Sequence, residues 1–276
     1  MSQVILSRHR GMPAQDGAGV KLTRIVNQPS LRHQDPFLML DEFRSDNPND
    51  YIAGFPPHPH RGFVTLTYML AGRMEHKDSN GNTGVVESGG AQWMKAARGI
   101  IHAEMPKQED GLMWGFQLWI NLPAARKMEA ADWADYPQDK LAHIDYEKAQ
   151  VRVIAGEFDG GIGPIQQPEQ RFLMLDARLE PNAKVTIPSQ QQKTRLAYVY
   201  AGGVTINESA VARGELVRLN DTDDLHIVAA EGSAGVIILA GEPIGEPIAQ
   251  YGPFVMNSQA EIEQALRDYQ AGKLTA

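Results

Sequence analysis

Along most of this chain apolar residues alternate with polar ones over short stretches, and runs with helical spacing are scarce. Residues 63–70, 92–95, 113–121, 151–155, 172–179, 196–200, 225–229 and 235–239 read as strands, separated by Gly, Pro, Asn and Asp. Many short strands with turn signals between them predict an all-β barrel or sandwich. Two stretches break the pattern. Residues 123–135 start at a proline and are rich in Ala, Met and Glu, which predicts a helix followed by a polar linker over 136–150. Residues 258–271 predict a second helix. Ser258 and Glu261 fit a capping box, Ile262, Leu266 and Tyr269 form an apolar stripe, and Gly272 is a stop. A helix this short needs a docking surface, and the N-terminal barrel is the expected one.

The strands also repeat. Tyr68-Met-Leu-Ala-Gly72 is similar to Tyr198-Val-Tyr-Ala-Gly202 at an offset of 130, and Gly99-Ile-Ile-His102 to Asp223-Asp-Leu-His226 at an offset of 124. Two copies of one β-module are predicted, with the turn at residues 78–83 shortened in the second. The expected boundaries are 1–135 for the first module, 136–150 for the linker, and 151–276 for the second module with its helix.

The candidate chemistry lies in the first copy. In Phe55-Pro-Pro-His58-Pro-His60-Arg-Gly62 two histidines stand at i and i+2, so an extended strand turns both imidazoles to one face. Pro59 disfavours a helix there. His102 and Glu104 repeat that spacing on another predicted strand. Together they form a candidate site of three imidazoles and one carboxylate, suited to Fe, Mn, Ni, Cu, Co or Zn. Four protein ligands would leave two positions open on an octahedral ion. His76, downstream on the same hairpin, reads as part of a solvated turn, with a place behind the metal ligands as the alternative. At the two offsets His58, His60 and Glu104 map to Pro188, Gln190 and Val228, and only His102 finds a counterpart, His226. The second copy is therefore expected to be structural. Of the four tryptophans, Trp93 and Trp114 are the ones expected near a cavity.

Composition narrows the classes. The net charge is −8, from 26 basic and 34 acidic residues, which argues against a phosphate-binding surface and direct nucleic-acid contact. No cysteine is present, so thiolate metal sites, disulfides and Cys nucleophiles are excluded. No apolar run is long enough to span a bilayer and the first ten residues have no signal-peptide core, so a cytoplasmic protein is expected.

These residues carry a family resemblance. His58-Pro-His60-Arg-Gly62, Gly72 and Gly99-Ile-Ile-His102-Ala-Glu104 resemble the metal-binding signatures of pirins, which are bicupins, proteins of two tandem jelly-roll barrels. Asp35-Pro-Phe-Leu-Met-Leu-Asp-Glu-Phe43, Asn121-Leu-Pro-Ala124 with Lys127-Met128, and Tyr251-Gly-Pro-Phe-Val-Met-Asn257 resemble further family hallmarks. The resemblance implies one divalent metal, usually Fe(II), held by His58, His60, His102 and Glu104 in the N-terminal cupin, and a C-terminal cupin without ligands. The general cupin pattern has a Glu near position 65; here that residue is Thr65, and Glu104 supplies the carboxylate, as in pirins. Some bacterial pirins resemble quercetin 2,3-dioxygenases in activity. Others are regulators that respond to metal redox state and bind protein partners. The expected function is a metal-dependent oxidoreductase acting on a flavonol-like aromatic substrate and dioxygen, with Glu104 as the catalytic base. The alternative is a non-catalytic regulator with a protein partner.

Overall fold

The computed structural model describes residues 4–167, 171–189 and 192–276; Gln190, aligned above with His60, lies outside them. Among the described residues the chain is mostly β, with one α-helix near the C-terminus. Up to residue 139 the strands are β1 (Ile5–Arg10), β2 (Met12–Asp16), β3 (Val20–Val26), β4 (Phe37–Ser45), β5 (Phe55–His60), β6 (Phe63–Ala71), β7 (Arg73–Asp78), β8 (Thr83–Glu87), β9 (Ala91–Lys95), β10 (Ile100–Pro106), β11 (Met113–Asn121) and β12 (Asp132–Tyr136). Strands β2 to β12 build one jelly-roll module from two antiparallel sheets, ordered β12-β9-β6-β11-β4-β3-β2 and β5-β10-β7-β8. Later strands repeat that order. The second seven-stranded sheet runs β1, Glu215–Leu219, Thr194–Ala201, Ala234–Gly241, Phe172–Leu179, Ala149–Ala155, Ala142–Tyr146. Its four-stranded mate runs Lys184–Ile187, Leu225–Ala229, Gly203–Ile206, Ser209–Ala212.

Backbone pairing locates the shortened hairpin. Gly89 N–H donates to Met69 O at 2.7 Å, and Gly214 N–H donates to Val199 O at 2.7 Å. Met69 and Val199 are 130 apart, Gly89 and Gly214 125 apart, so five residues are lost between them, around the hairpin of β7 and β8. The offset of 125 then continues into β10 and decides the fate of His226. On β10, His102 pairs with His58 and Ile100 with His60. In the second module Ile227 pairs with Val185 and Leu225 with Ile187. The counterpart of His102 is thus Ile227. His226 is one position out of step, and a one-residue slip on a strand turns a side chain to the opposite face. It is exposed and hydrogen-bonds Thr186 Oγ1 at 3.0 Å. By register, the positions of His58, His60, His102 and Glu104 are filled in the second module by Val185, Ile187, Ile227 and Ala229, all buried in an aliphatic core. The second module carries no donor from this set, where the offset of 124 had assigned it His226.

Three expected elements differ. Residues 123–135 form no α-helix: the 3-10 turn Ala124–Arg126 leads into β12, which completes the sheet on the edge of β9. A 13-residue helix is marginal alone, and here Lys127 is drawn inside instead. Its ammonium donates to Gly62 O (2.6 Å), Asn121 Oδ1 (2.6 Å) and Val255 O (3.0 Å). The stretch 136–150 is not a bare linker, since Ala142–Tyr146 pairs with Ala149–Ala155. The compact units also exchange their ends relative to the expected boundaries: residues 1–11 group with 140–243, and residues 244–276 with 12–139.

The C-terminal helix α1 (Gln259–Gln270) therefore belongs with the first module, as expected. Ser258 caps it by accepting from Glu261 N–H, and Glu261 accepts from Asn257 N–H at 3.1 Å. Ile262 and Ala265 pack with Phe254, Met256 and Leu274. Arg61, next to His60, donates to Asp268 at 2.7 Å and to Leu274 O at 3.2 Å. Two glycines permit this approach. A Cβ on Gly62 (φ +93°) would meet Val255 O at 1.9 Å, and one on Gly99 (φ +150°) would meet Leu274 O at 2.2 Å. The glycines of the two motifs thus admit the C-terminal segment behind the strands that carry the histidines. Among the described residues, no helix is long and apolar enough to cross a membrane.

Candidate metal centre

Facing strands β5 and β10 bring three imidazoles together. One ring nitrogen each of His58, His60 and His102 lies within 4.8 Å of the other two. His58 Nδ1–H donates to Pro56 O at 2.8 Å, which leaves Nε2 with its lone pair, and that atom faces His60 Nε2 at 3.0 Å. Cis ligands about 2.1 Å from one ion lie about 3 Å apart, so the spacing suits a shared cation. His60 Nδ1 and His102 Nε2 are buried without a protein hydrogen bond. Burial, and then the neighbouring imidazoles, hold His60 and His102 well below the usual histidine range. Both are therefore neutral near pH 7 and available as ligands. The residues present fit a divalent metal.

His102 is oriented by residues the sequence pattern left in a solvated turn. His76 is fully buried on β7, stacked on Trp133 at 5.4 Å. Its Nδ1 lies 3.3 Å from His102 Nδ1, and its Nε2 lies 3.4 Å from Asp78 Oδ2. Asp78 also accepts from Asn80 N–H, Asn82 N–H and Asn82 Nδ2. A carboxylate only accepts, so His76 Nε2–H donates to it, His76 Nδ1 accepts, and His102 Nδ1–H donates. The consequence is a bare His102 Nε2. Such outer partners fix the tautomer and raise ligand affinity about 10–100-fold. A His76→Gln protein is expected to bind Fe(II) or Ni(II) weaker by that factor in competition with a chelator, with an unchanged melt of the metal-free form. Equal affinity would show that His76 does not orient His102.

Glu104 lies beside the trio rather than in it. Its side chain shares the inward face of β10 with His102, as the i, i+2 spacing predicts. Gln117 Nε2 donates to its Oε2 at 3.2 Å, and Thr67 Oγ1 donates to its Oε1 at 3.1 Å. Neither partner was legible as functional. The only signal was polar residues at inward positions of otherwise apolar strands, Thr65 and Thr67 on β6 and Gln117 on β11.

A cavity of about 750 Å³ opens beside these groups, lined by His58, His60, Glu104, Thr67, Gln117 and Trp119 on the metal side. Trp119 meets His60 edge-on at 5.2 Å. Trp114 does not reach the cavity: alternation on β11 turns it to the other face, where it donates to Glu42 and lies under Arg44. Trp93 does not line it either.

The pirin family model matches residues 19–120, and the model of the pirin C-terminal cupin domain matches residues 174–275. The chain belongs to the pirin family. It is 48% identical over 278 residues to a Pseudomonas aeruginosa pirin relative provisionally named a quercetin 2,3-dioxygenase, covering 98% of this chain and 97% of that one. To human pirin it is 36% identical over 275 residues, covering 98% and 91%. The crystal structure of a quercetin 2,3-dioxygenase from Acinetobacter baumannii superposes with a TM-score of 0.91 at 30% identity, covering 99% and 98%. The fold is thus the tandem cupin of pirins, and its three-histidine cluster is suited to a divalent metal. For this pirin, His58→Ala, His60→Ala and His102→Ala are each expected to lower bound metal to a small fraction of wild type in elemental analysis. Full metal in two of the three would place the site elsewhere.

Proposed function

We propose that this pirin is a metal-dependent dioxygenase that opens the heterocycle of a flavonol such as quercetin. In this reading His58, His60, His102 and Glu104 are the ligands of one metal, Fe(II) by family resemblance, and Glu104 is also the proton acceptor. Mn, Ni, Co, Cu and Zn suit the same nitrogen and oxygen donors. The observation that carries the reading is the convergence of three imidazoles beside a cavity that also holds a carboxylate. The provisional name of the Pseudomonas relative points the same way.

When bound, the metal supplies Lewis acidity that lowers the pKa of a chelated hydroxyl. Glu104 takes the 3-hydroxyl proton of the flavonol onto a carboxylate oxygen. A carboxylate that stays ligated is a poor base, and Thr67 and Gln117 supply the partners it needs while unligated. Trp119 and Phe55, which line the cavity, give the flavonol rings apolar contact.

Metal analysis of the purified protein followed by oxygen uptake with quercetin, aerobic against anaerobic, tests this. Uptake proportional to bound metal is expected. Absence of uptake with Fe, Mn, Ni, Co and Cu alike would overturn it in favour of the non-catalytic regulator.

A further inference from the structure

The interior of the first module carries a polar row that its repeat lacks. Register pairs Gln92 with Thr67, Thr67 with Gln117, Gln117 with Asp41, and Asp41 with Arg24, so one row crosses β9, β6, β11, β4 and β3. Thr67 and Ala197 are counterparts at the offset of 130. From Ala197 the same row in the second module reads Val217, Ala197, Ile238, Leu175 and Val153. All five are at most 3% exposed in an aliphatic core. The fold therefore closes without polar groups at these positions.

The far end of the row is an ion pair. Arg24 Nε donates to Asp41 Oδ1 at 3.0 Å and Nη2 to Asp41 Oδ2 at 2.7 Å, with Asp16 Oδ2 3.2 Å from Nη2. Burial pushes the Asp41 carboxyl up to about 6 although Arg24 opposes the shift. A raised carboxyl pKa means that folding disfavours the charge, so the pair is a burden that Leu175 and Val153 avoid. Buried ion pairs are in any case weak sources of stability. Asp41 and Arg24 line the same cavity as the histidines, with Met39, Phe43, Phe55 and Met74 as apolar wall. Glu104 touches the row at Thr67 and Gln117; Asp41 lies one strand spacing beyond Gln117, about 5 Å, and Arg24 two, about 10 Å.

We propose that Arg24 and Asp41 form a second recognition point in this cavity, one that reads adjacent phenolic hydroxyls at the far end of a planar aromatic substrate. The proposal rests on the flavonol reading and adds the substrate feature selected: a catechol-type ring at the end of the molecule remote from the metal-chelating group. Arg24 stands between two carboxylates, so its charge is already balanced and it does not select an anion. Among the described residues Arg24 Nη1 has no hydrogen-bond partner, and each Asp41 oxygen keeps a lone pair beyond the one Arg24 uses. The pair thus offers a donor on one edge of the guanidinium and carboxylate lone pairs on the other, both lining one cavity, and a ring carrying two vicinal hydroxyls can meet both.

Anaerobic titration of the metal-loaded protein with quercetin and with 3-hydroxyflavone, which chelates equally but has no other hydroxyl, tests this. Wild type is expected to bind quercetin about ten- to a hundredfold tighter, the range for hydrogen bonds to charged groups. Asp41→Asn and, as a second variant, Arg24→Lys are expected to abolish most of that preference and leave 3-hydroxyflavone within about twofold. Equal affinities in wild type, or variants that weaken both ligands alike, would overturn the proposal. If neither flavonol binds, the flavonol reading fails and free catechol decides the pair's role. A saturable shift of the Arg24 Nε–H resonance that is absent in Asp41→Asn supports it, and no shift in wild type overturns it.

Discussion

A Glu104→Gln protein is expected to retain part of its metal and to lose the proposed flavonol oxygenation by about 10²–10⁴-fold, the range for a missing general base. The substitution keeps the size of the side chain and one oxygen but removes the charge and the basicity. It is also mild for the fold. The carboxylate is buried, yet its neighbours Thr67 and Gln117 are neutral and can rearrange around an amide. The loss is expected in oxygen uptake normalised to bound metal, so that weaker metal binding is not mistaken for slower chemistry. A flavonol with a more acidic 3-hydroxyl is expected to recover part of the rate, because less basicity is then needed. A metal-replete variant with wild-type turnover would remove Glu104 from the chemistry while leaving the histidines in place.

Truncation after Gly252 is expected to yield an aggregated or molten protein. The removed segment contains Phe254, Val255, Met256, Ile262 and Leu274, each at most 3% exposed. At about 1.5–3 kcal/mol for each buried large apolar side chain, their loss is comparable to the about 5–15 kcal/mol that holds a typical domain together. Two buried cations also lose partners. Arg61, 4% exposed, loses Asp268 and Leu274 O, and Lys127 loses Val255 O. Both are tied to the strand that ends at His60 or to the turn after it, so metal binding should disappear with the fold. Light scattering and a thermal melt measure the effect, and the single change Ile262→Ala, at about 2–5 kcal/mol, gives a graded version. A monodisperse truncated protein with the full-length melting temperature would show that the segment is dispensable.

Much of the site was legible because strand geometry is local. Alternation alone puts His58 with His60, and His102 with Glu104, on common faces, and the structure keeps those faces. The C-terminal helix was legible for the same reason, since cap, stripe and stop all lie within one short segment. The helix expected over residues 123–135 failed where a distant event outweighed propensity: β9 offered an open edge, and three carbonyl oxygens from separate parts of the chain gathered Lys127.

The strand-rich class, the two-fold repeat, the imidazole pairs and the absence of thiol chemistry were readable from the chain alone. These depend on residue type and on spacing within a few positions. Long-range packing chose which strands face one another. It joined His58 and His60 to His102, set Glu104 against Thr67 and Gln117, and buried His76 between His102 and Asp78. It also turned His226 outward, because a change in hairpin length shifts every later position by whole residues, and on a strand each shift of one reverses the face. Asp41 and Arg24 became visible last. They are 17 residues apart in the chain, and their significance lies in a row that runs across five strands, perpendicular to the direction in which the sequence is read.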